Sequence, residues 1–268
     1  MNERENNHPL FIGFSSQKGG VGKSTLAEVI SSILYYEKGI NLFVIDCDVT
    51  QDSFFKLRER EKRTIEESEE MSRYMQSYFS GLGRIAYRIH KASPSDSIVT
   101  AKDYLQEKKD ETFRAVIFDF PGHAGTRELL ELSLEMDYII SPIEADTQSM
   151  VSCLSYAKSI QDLGVEMEGA RIKDIMLLWN KVDRRVRSTL MDHYSEYIRE
   201  QGLTLLPNHI YLAHRFTHEL AAYGIKGVFR SSYLPPLRSL RDGTGLDEMI
   251  EDLLVRINLK AAGNNAND

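Results

Sequence analysis

Apolar residues in this chain form two kinds of pattern that alternate with each other. Short continuous runs occur at 11–14, 42–45, 113–120, 138–143 and 175–179. Such runs are typical of parallel strands that are buried on both faces of a sheet. After the first run, apolar residues recur at helical spacing, which predicts a helix over 24–37. The alternation predicts an α/β fold, a doubly wound and mainly parallel sheet with helices on both faces.

A glycine-rich turn joins the first predicted strand to this helix. Its three glycines lack Cβ, so consecutive backbone N–H groups can curl around a triphosphate. The helix start adds unpaired N–H groups and the positive end of a dipole. We predict that Lys23 contacts the β- and γ-phosphates and that the Ser24 hydroxyl ligates Mg²⁺. The predicted phosphate-binding residues are Gly19, Gly20, Val21, Gly22, Lys23, Ser24 and Thr25.

Carboxylates follow two of the other predicted strands. Asp46 and Asp48 come after the second apolar run, and Asp119 ends the run at 113–120. Functional groups of such folds gather at the carboxyl ends of the strands. We predict that Asp46 and Asp119 hold Mg²⁺ through its water shell together with Ser24. Asp48, beyond the strand, would orient the water that attacks the γ-phosphate.

These motifs resemble the deviant Walker A ATPases of the ParA/MinD family. The P-loop pattern G-x-x-x-x-G-K-[ST] fits only from Gly22 onward, because Gln17 takes the first glycine position and Lys18 follows it. The run Lys-Gly-Gly-Val-Gly-Lys-Ser, the Asp-x-Asp-x-x-Gln pattern at 46–51 and the Asp-Phe-Pro-Gly sequence at 119–122 are similar to that family's motifs.

The resemblance implies a slow, Mg²⁺-dependent ATPase that acts as a switch. Lys18 would cross a dimer interface to the partner's nucleotide, and it would be catalytic together with Lys23 and Asp48. Asn180 would read adenine, since an amide presents a donor and an acceptor together. The ATP-bridged homodimer would bind DNA without sequence preference or position a cargo, and a partner protein would stimulate hydrolysis.

Two points about the ligand and the reaction stay open. The sequence Asn-Lys-Val-Asp at 180–183 matches the guanine-reading pattern of GTPases literally, although the resemblance favours ATP. Alternatives to a switch ATPase are a P-loop small-molecule ligase of the dethiobiotin synthetase-like class and a subunit that binds nucleotide without turnover. A narrower resemblance, to ParA-like proteins of Bacteroides-type conjugative transposons, rests on 16–23, the charged stretch after Asp48, and 229–236. It implies plasmid partitioning or transposon transfer and regulation.

The 268 residues allow one large domain, which we place at 10–260 between disordered tails at 1–9 and 261–268. The charge-rich stretch 51–111 is predicted to be a helical insertion of two or three helices. It is either a solvated edge of the sheet or a surface for a partner protein.

Net charge is −7, so DNA contact would need a local basic patch. The alternatives for these arginines are solvated charge and pairing in a dimer. The candidates are Arg184, Arg185, Arg187, Arg215, Arg230, Arg238 and Arg241.

The remaining features indicate a soluble, cytoplasmic protein that does not bind membranes. Two cysteines exclude a disulfide framework, and no apolar run is long enough to span a bilayer. The helix predicted at 246–257 has an acidic polar face, whereas a membrane-surface helix would be basic, so we expect it to pack on the domain. His218 begins an H-E-x-x-H-like run, but Ala222 takes the second histidine position, so we expect no zinc site.

Overall fold

The computed structural model describes residues 8–51, 53–122, 126–167, 169–185 and 189–260. The predicted disordered tails, apart from residues 8 and 9, lie outside the described residues. So does Arg187 of the predicted basic patch.

Seven parallel strands form one sheet in the described part of the chain, in the order β3-β2-β4-β1-β5-β6-β7. The first strand lies at the centre, and the chain winds outward from it in both directions. This is the position at which a doubly wound sheet opens a crevice at the carboxyl ends of its strands. The strands are β1 Leu10–Phe14, β2 Leu42–Asp46, β3 Ile89–Lys91, β4 Ala115–Asp119, β5 Tyr138–Ile143, β6 Asp174–Trp179 and β7 Thr204–Leu205.

The described helices lie on both faces of this sheet, so the predicted fold class is confirmed. The predicted helix at 24–37 is present, but its last part, Ile33–Glu37, is a wider π-helical turn. A short 3₁₀ helix covers His214–Thr217. The α-helices are α1 Lys23–Ser32, α2 Ser53–Glu66, α3 Glu69–Leu82, α4 Ser97–Glu107, α5 Arg127–Leu134, α6 Thr147–Glu166, α7 Thr189–Glu200, α8 Leu220–Gly227, α9 Arg238–Arg241 and α10 Leu246–Arg256.

Two hydrophobic clusters fill the space on either side of the sheet. Alternate strand residues point to opposite faces; thus Ile12 belongs to the cluster beneath α1 and α10, whereas Phe11 belongs to the cluster beneath α4 to α7. Both faces of the central strands are therefore covered. This explains why their sequences are continuous apolar runs and do not alternate with polar residues.

The stretch 51–111 contains the predicted helices and also one element that the sequence did not predict. The short edge strand β3 pairs with β2, with Ile89 opposite Val44. The sequence does not predict this strand, because three residues of mixed polarity give no strand pattern. The stretch also adds Phe54 and Tyr87 to the core, so it is more than a solvated covering.

The C-terminal helix packs on the domain, as predicted. Leu246, Met249, Ile250, Leu253 and Leu254 of α10 are buried. Among the described residues, no helix is long and apolar enough to cross a membrane.

Candidate nucleotide-binding site

The glycine-rich loop has the tight curl that the sequence predicts. Gly20 and Gly22 take left-handed backbone angles, with φ of 82° and 88°. Gly22 also touches a distant part of the chain, because a Cβ there would lie 2.6 Å from the Asn180 side-chain nitrogen. That nitrogen donates a hydrogen bond to the Val21 carbonyl at 2.7 Å. Asn180 therefore fixes the loop, and only glycine fits beneath it.

The loop lysine lies against the acid at the end of β4. Lys23 Nζ is 2.6 Å from Asp119 Oδ1 and 3.0 Å from Ser24 Oγ. Both Lys23 and Asp119 are buried. The predicted phosphate ligand and two predicted metal ligands therefore meet at one point of the sheet edge.

The two strand-end carboxylates lie side by side, since Asp46 pairs in register with Asp119 across β2 and β4. Asp46 accepts backbone hydrogen bonds from Phe55 at 3.0 Å and from Asp48 at 3.3 Å. The second carboxylate oxygen of Asp119, Oδ2, is buried and has no hydrogen-bond partner among the described residues. A buried, unpaired carboxylate oxygen carries a cost that a water or an ion would relieve.

These residues fit the expected magnesium ion. Mg²⁺ keeps several waters and usually takes one or two carboxylates plus substrate phosphates. Asp119 Oδ2 and the neighbouring Ser24 hydroxyl offer that kind of donor set. Among the described residues, no group of three or more His, Cys, Asp and Glu side chains could hold a metal by itself. A site that phosphate and water complete is consistent with the unpaired Asp119 oxygen and with the lack of such a group among the described residues.

Asp48 lies in the loop that follows β2 and is almost fully buried. Its Oδ1 accepts hydrogen bonds from the Thr50 hydroxyl at 2.7 Å and from the Gln51 backbone at 3.1 Å. The carboxylate is thus held in one orientation by its own loop. It lies in the wall of the same cavity as the glycine-rich loop.

A cavity of about 240 Å³ brings most predicted residues together. It also includes Arg230, which the sequence analysis named among the candidates for DNA contact; no motif near the loop could have indicated its place here, because it lies some 200 residues away. The lining residues are Ser16, Lys18, Gly19, Gly20, Gly22, Lys23, Ser24, Thr25, Asp48, Gln51, Ser53, Gly122 and Arg230.

A second cavity of about 350 Å³ adjoins the loop on its other side and shares Gly20, Gly22 and Thr25 with the first. Asn180 lies in its wall, beside Tyr211 and Phe216, which the sequence analysis did not single out. An apolar and aromatic cavity next to a phosphate site suits a nucleobase. The adenine-reading role of Asn180 stays a prediction.

Asp183, the acid of the GTPase-like pattern, is hydrogen-bonded to Arg185. Its carboxylate accepts hydrogen bonds from the Arg185 backbone at 2.9 Å and from the Arg185 guanidinium at 2.9 and 3.0 Å. These bonds lower the pKa of Asp183 to about 2. It does not line the second cavity as the structure describes it. The literal match to the guanine-reading pattern therefore lacks its geometry.

Lys18 makes contacts within its own chain. Its Nζ lies 3.0 Å from Asp146 Oδ2 and 3.9 Å from Glu144 Oε2. The hydrogen bond to Asp146 is the main cause of a raised pKa for Lys18. The side chain is partly exposed, so its role across a dimer interface stays a prediction.

Two members of the predicted basic patch face inward, which corrects that part of the sequence analysis. Arg241 is 2% exposed and pairs with Glu37 at 2.9 Å and with Asp247 at 3.3 Å. Arg230 pairs with two glutamates beside the phosphate cavity. Burial removes Arg241 from the surface that DNA could contact, and Arg230 lines the phosphate cavity instead.

The central strand, the glycine-rich loop at its carboxyl end and the flanking carboxylates define a P-loop nucleotide-binding protein. Residues 12–220 match the model of the CobQ/CobB/MinD/ParA nucleotide binding domain. The chain belongs to this family.

Solved structures with the same fold cover nearly the whole chain. An ATP complex of a McdA variant from Cyanothece is 16% identical, with a TM-score of 0.59, over 97% of this chain and 100% of that chain. A putative plasmid partition protein from Borrelia burgdorferi bound to AMPPNP is 17% identical, with a TM-score of 0.57, over 94% and 99%. MinD in the MinC:MinD cell division protein complex from Aquifex aeolicus is 10% identical, with a TM-score of 0.57, over 96% and 98%.

At these identities the likeness concerns the fold. A search of curated proteins gave no match.

Proposed function

We propose that this protein is a ParA-type switch ATPase that binds ATP with Mg²⁺, dimerises around the nucleotide and hydrolyses it to ADP and phosphate. The observation that carries the proposal is the meeting of Lys23 and Asp48 in one cavity beneath a curled glycine loop, with Asp119 bonded to Lys23. A phosphoanhydride needs positioning and charge neutralisation more than covalent help. This set of side chains can supply both.

In this mechanism the backbone N–H groups of the loop and Lys23 bind the phosphates. Lys23 exchanges its contact with Asp119 for the β- and γ-phosphate oxygens. Ser24, Asp46 and Asp119 would hold Mg²⁺, and the ion would supply neutralisation of charge on the phosphates. Asp48, fixed by its loop, orients the attacking water and accepts a hydrogen bond from it.

The position and exposure of Lys18 support the proposed dimer. This lysine lines the phosphate cavity but is partly exposed. In a face-to-face dimer it would leave Asp146 and reach the partner's nucleotide. Among the compared structures, MinD is solved in complex with MinC, and a plasmid partition protein is solved with an ATP analogue. We infer for this chain that a partner protein binds it and stimulates hydrolysis.

The proposal also includes contact of the dimer with DNA. Arg184 and Arg185 are exposed and are the candidates for this contact; Arg187, close to them in the sequence, lies outside the described residues. Contact with phosphates would give ATP-dependent, salt-sensitive retention of duplex DNA on a filter. Retention that is independent of nucleotide or salt would contradict it. The narrower role, in plasmid partitioning or in conjugative transposon transfer as for the ParA-like protein TraA, belongs to the same proposal.

A small-molecule ligase is the weaker candidate. Such an enzyme needs a substrate pocket beside the γ-phosphate, and the cavity there measures only about 240 Å³ and is lined by the nucleotide-binding residues. A subunit that binds nucleotide without turnover is also less favoured, because Asp48 lies in that cavity.

Phosphate release by the wild type and by Asp48→Asn, with Mg²⁺ and ATP, tests the proposal. The amide oxygen can still accept the hydrogen bonds from Thr50 and Gln51, so the loop should keep its shape. We expect the variant to bind ATP and to hydrolyse it about 100-fold more slowly, since a side chain that assists proton transfer contributes typically that much. Asp183→Asn is the matched control and should hydrolyse normally. Equal rates for Asp48→Asn and the wild type would contradict the role of Asp48.

A further inference from the structure

Arg230 lies in the wall of the phosphate cavity, although the glycine-rich loop is far away in sequence. It follows α8, within the run Phe-Arg-Ser-Ser-Tyr-Leu-Pro-Pro at 229–236. Its side chain is 20% exposed. The cavity therefore contains a third cationic side chain beside Lys18 and Lys23.

Two glutamates hold the guanidinium in place. Arg230 Nε and Nη2 both donate to the Glu28 carboxylate, the latter at 3.0 Å, and Nη1 lies 3.2 Å from Glu219 Oε1. A guanidinium has five N–H donors. Its hydrogen bonds to the described residues use three of them. Two donors are left on a side chain that borders the phosphate cavity.

Glu28 is fully buried, and it lies on α1, the helix that the glycine-rich loop opens. Burial raises the pKa of Glu28, while the hydrogen bonds from Arg230 act in the opposite direction. A buried ion pair is weak evidence for a stabilising role, because packed apolar residues of similar volume often do as well. Here the pair instead keeps a guanidinium at a fixed place next to a site for anions.

Arg230 is also connected to α2, the helix after the Asp48 loop. Glu219 accepts hydrogen bonds from Arg60 of α2, at 2.9 Å from Nη2 and 3.2 Å from Nε. Two residues beyond Arg230, the Ser232 backbone N–H donates to the buried Glu61 of α2 at 2.9 Å. A shift of Arg230 would therefore be transmitted to α2 through two separate contacts.

We propose that Arg230 is a ligand of the terminal phosphate of the bound nucleotide, supplied by the same subunit and positioned by Glu28. The inference rests on the proposed function and deepens it. Arg230 would make the site prefer a triphosphate to a diphosphate, and the Glu219–Arg60 pair would transmit that difference to α2.

The test compares the affinities for a non-hydrolysable ATP analogue and for ADP, measured by calorimetry with Mg²⁺. A hydrogen bond to a charged group contributes about 1.5–3 kcal/mol. Arg230→Gln should therefore weaken binding of the analogue about 10-fold or more and leave ADP binding nearly unchanged. Arg238→Gln is the matched control, because Arg238 pairs with Glu37 at 3.0 Å on the surface, and it should change neither affinity.

A second variant separates ligand contact from folding. Arg230→Gln leaves Glu28 buried without its charge partner, whereas Glu28→Gln/Arg230→Gln removes both charges. The double variant should show the same selective loss for the analogue, and Arg230→Lys should retain part of the affinity.

Equal affinities in the wild type and the double variant, or equal losses for both nucleotides, would overturn the inference. A wild type that binds neither nucleotide would instead overturn the proposed function.

Discussion

Lys23 Nζ lies 2.6 Å from Asp119 Oδ1, and both side chains are buried at the carboxyl edge of the sheet. The lysine that we expect to bind phosphate thus has its charge balanced by the acid that we expect to face the metal. Removing one partner of a buried pair leaves an uncompensated charge, which is strongly destabilising. The pair therefore holds the site together until phosphates replace Asp119 as the partner of Lys23.

The first prediction concerns the stability of the protein without nucleotide. Asp119→Asn keeps the shape of the side chain but removes its charge, so Lys23 would lose its counter-ion. We expect the free energy of unfolding to fall by about 3 kcal/mol. Urea unfolding followed by circular dichroism would measure it.

The matched control is Lys18→Ala. Its ion pair with Asp146 has a similar length, 3.0 Å, but both side chains are about 40% exposed. Exposed pairs contribute about 0–1 kcal/mol. If Lys18→Ala lowers the free energy of unfolding as much as Asp119→Asn does, exposure does not account for a difference in stability between the two pairs.

The second prediction concerns Lys18 and the dimer. If Lys18 reaches the partner's nucleotide, Lys18→Ala should leave ATP binding by the monomer within about 2-fold of the wild type, because loss of an exposed charge pair changes little within one subunit. ATP-dependent dimerisation should be lost. Sedimentation velocity with Mg²⁺ and a non-hydrolysable analogue would measure the dimer fraction.

Lys158→Ala serves as the control for this experiment, since Lys158 forms an exposed ion pair with Asp162 at 3.1 Å on α6. Its dimer fraction should match that of the wild type. A normal dimer fraction for Lys18→Ala would contradict the proposed contact of Lys18 with the partner's nucleotide.

The third prediction concerns the choice between ATP and GTP. Asp183 is held by Arg185 away from the second cavity, whereas Asn180 lies in the wall of that cavity. Asp183→Ala should therefore keep the preference for ATP. Asn180→Ala should weaken binding of ATP about 10-fold, since it removes a hydrogen-bonding amide from a buried site and releases Val21.

Competition of ATP and GTP against a fluorescent nucleotide would measure both effects. Preference for GTP in the wild type, lost on Asp183→Ala, would support a GTPase. It would mean that Asp183 turns toward the base when nucleotide is bound.

Local patterns were sufficient for the phosphate site but not for contacts between distant segments. The glycines, Lys23 and the strand-end acids could be predicted because each follows a strand whose apolar run is visible in the sequence. The contact of Asn180 with Gly22 could not, since nothing in either segment specifies the other. The place of Arg230 beside the phosphate site could not be predicted for the same reason, because its glutamate partners come from α1 and the segment before α8. Strand β3 was missed because its three residues have no apolar pattern.

The last prediction concerns pH. Burial raises the pKa of Glu28 from the ordinary value of 4.5 to about 7. The charged groups around it are Arg230, Asp119, Glu61 and, through Arg230, Glu219. Between pH 4.5 and 7 the folded protein thus keeps a proton that the unfolded chain has released. The contribution of Glu28 to stability is therefore full below pH 4.5 and is lost as the pH rises to about 7.

Glu28→Gln cannot titrate, so its free energy of unfolding should fall less steeply than that of the wild type between pH 5 and about 7. The absolute stability of the variant is not the test, because the substitution also leaves Arg230 without its partner. The slope against pH is the test, measured by urea unfolding at each pH. Glu135→Gln, an exposed position on the surface, should follow the wild-type slope. A wild-type slope in Glu28→Gln would show that Glu28 is ionised throughout this range. The effect of Arg230 on the pKa of Glu28 would then outweigh the effect of burial.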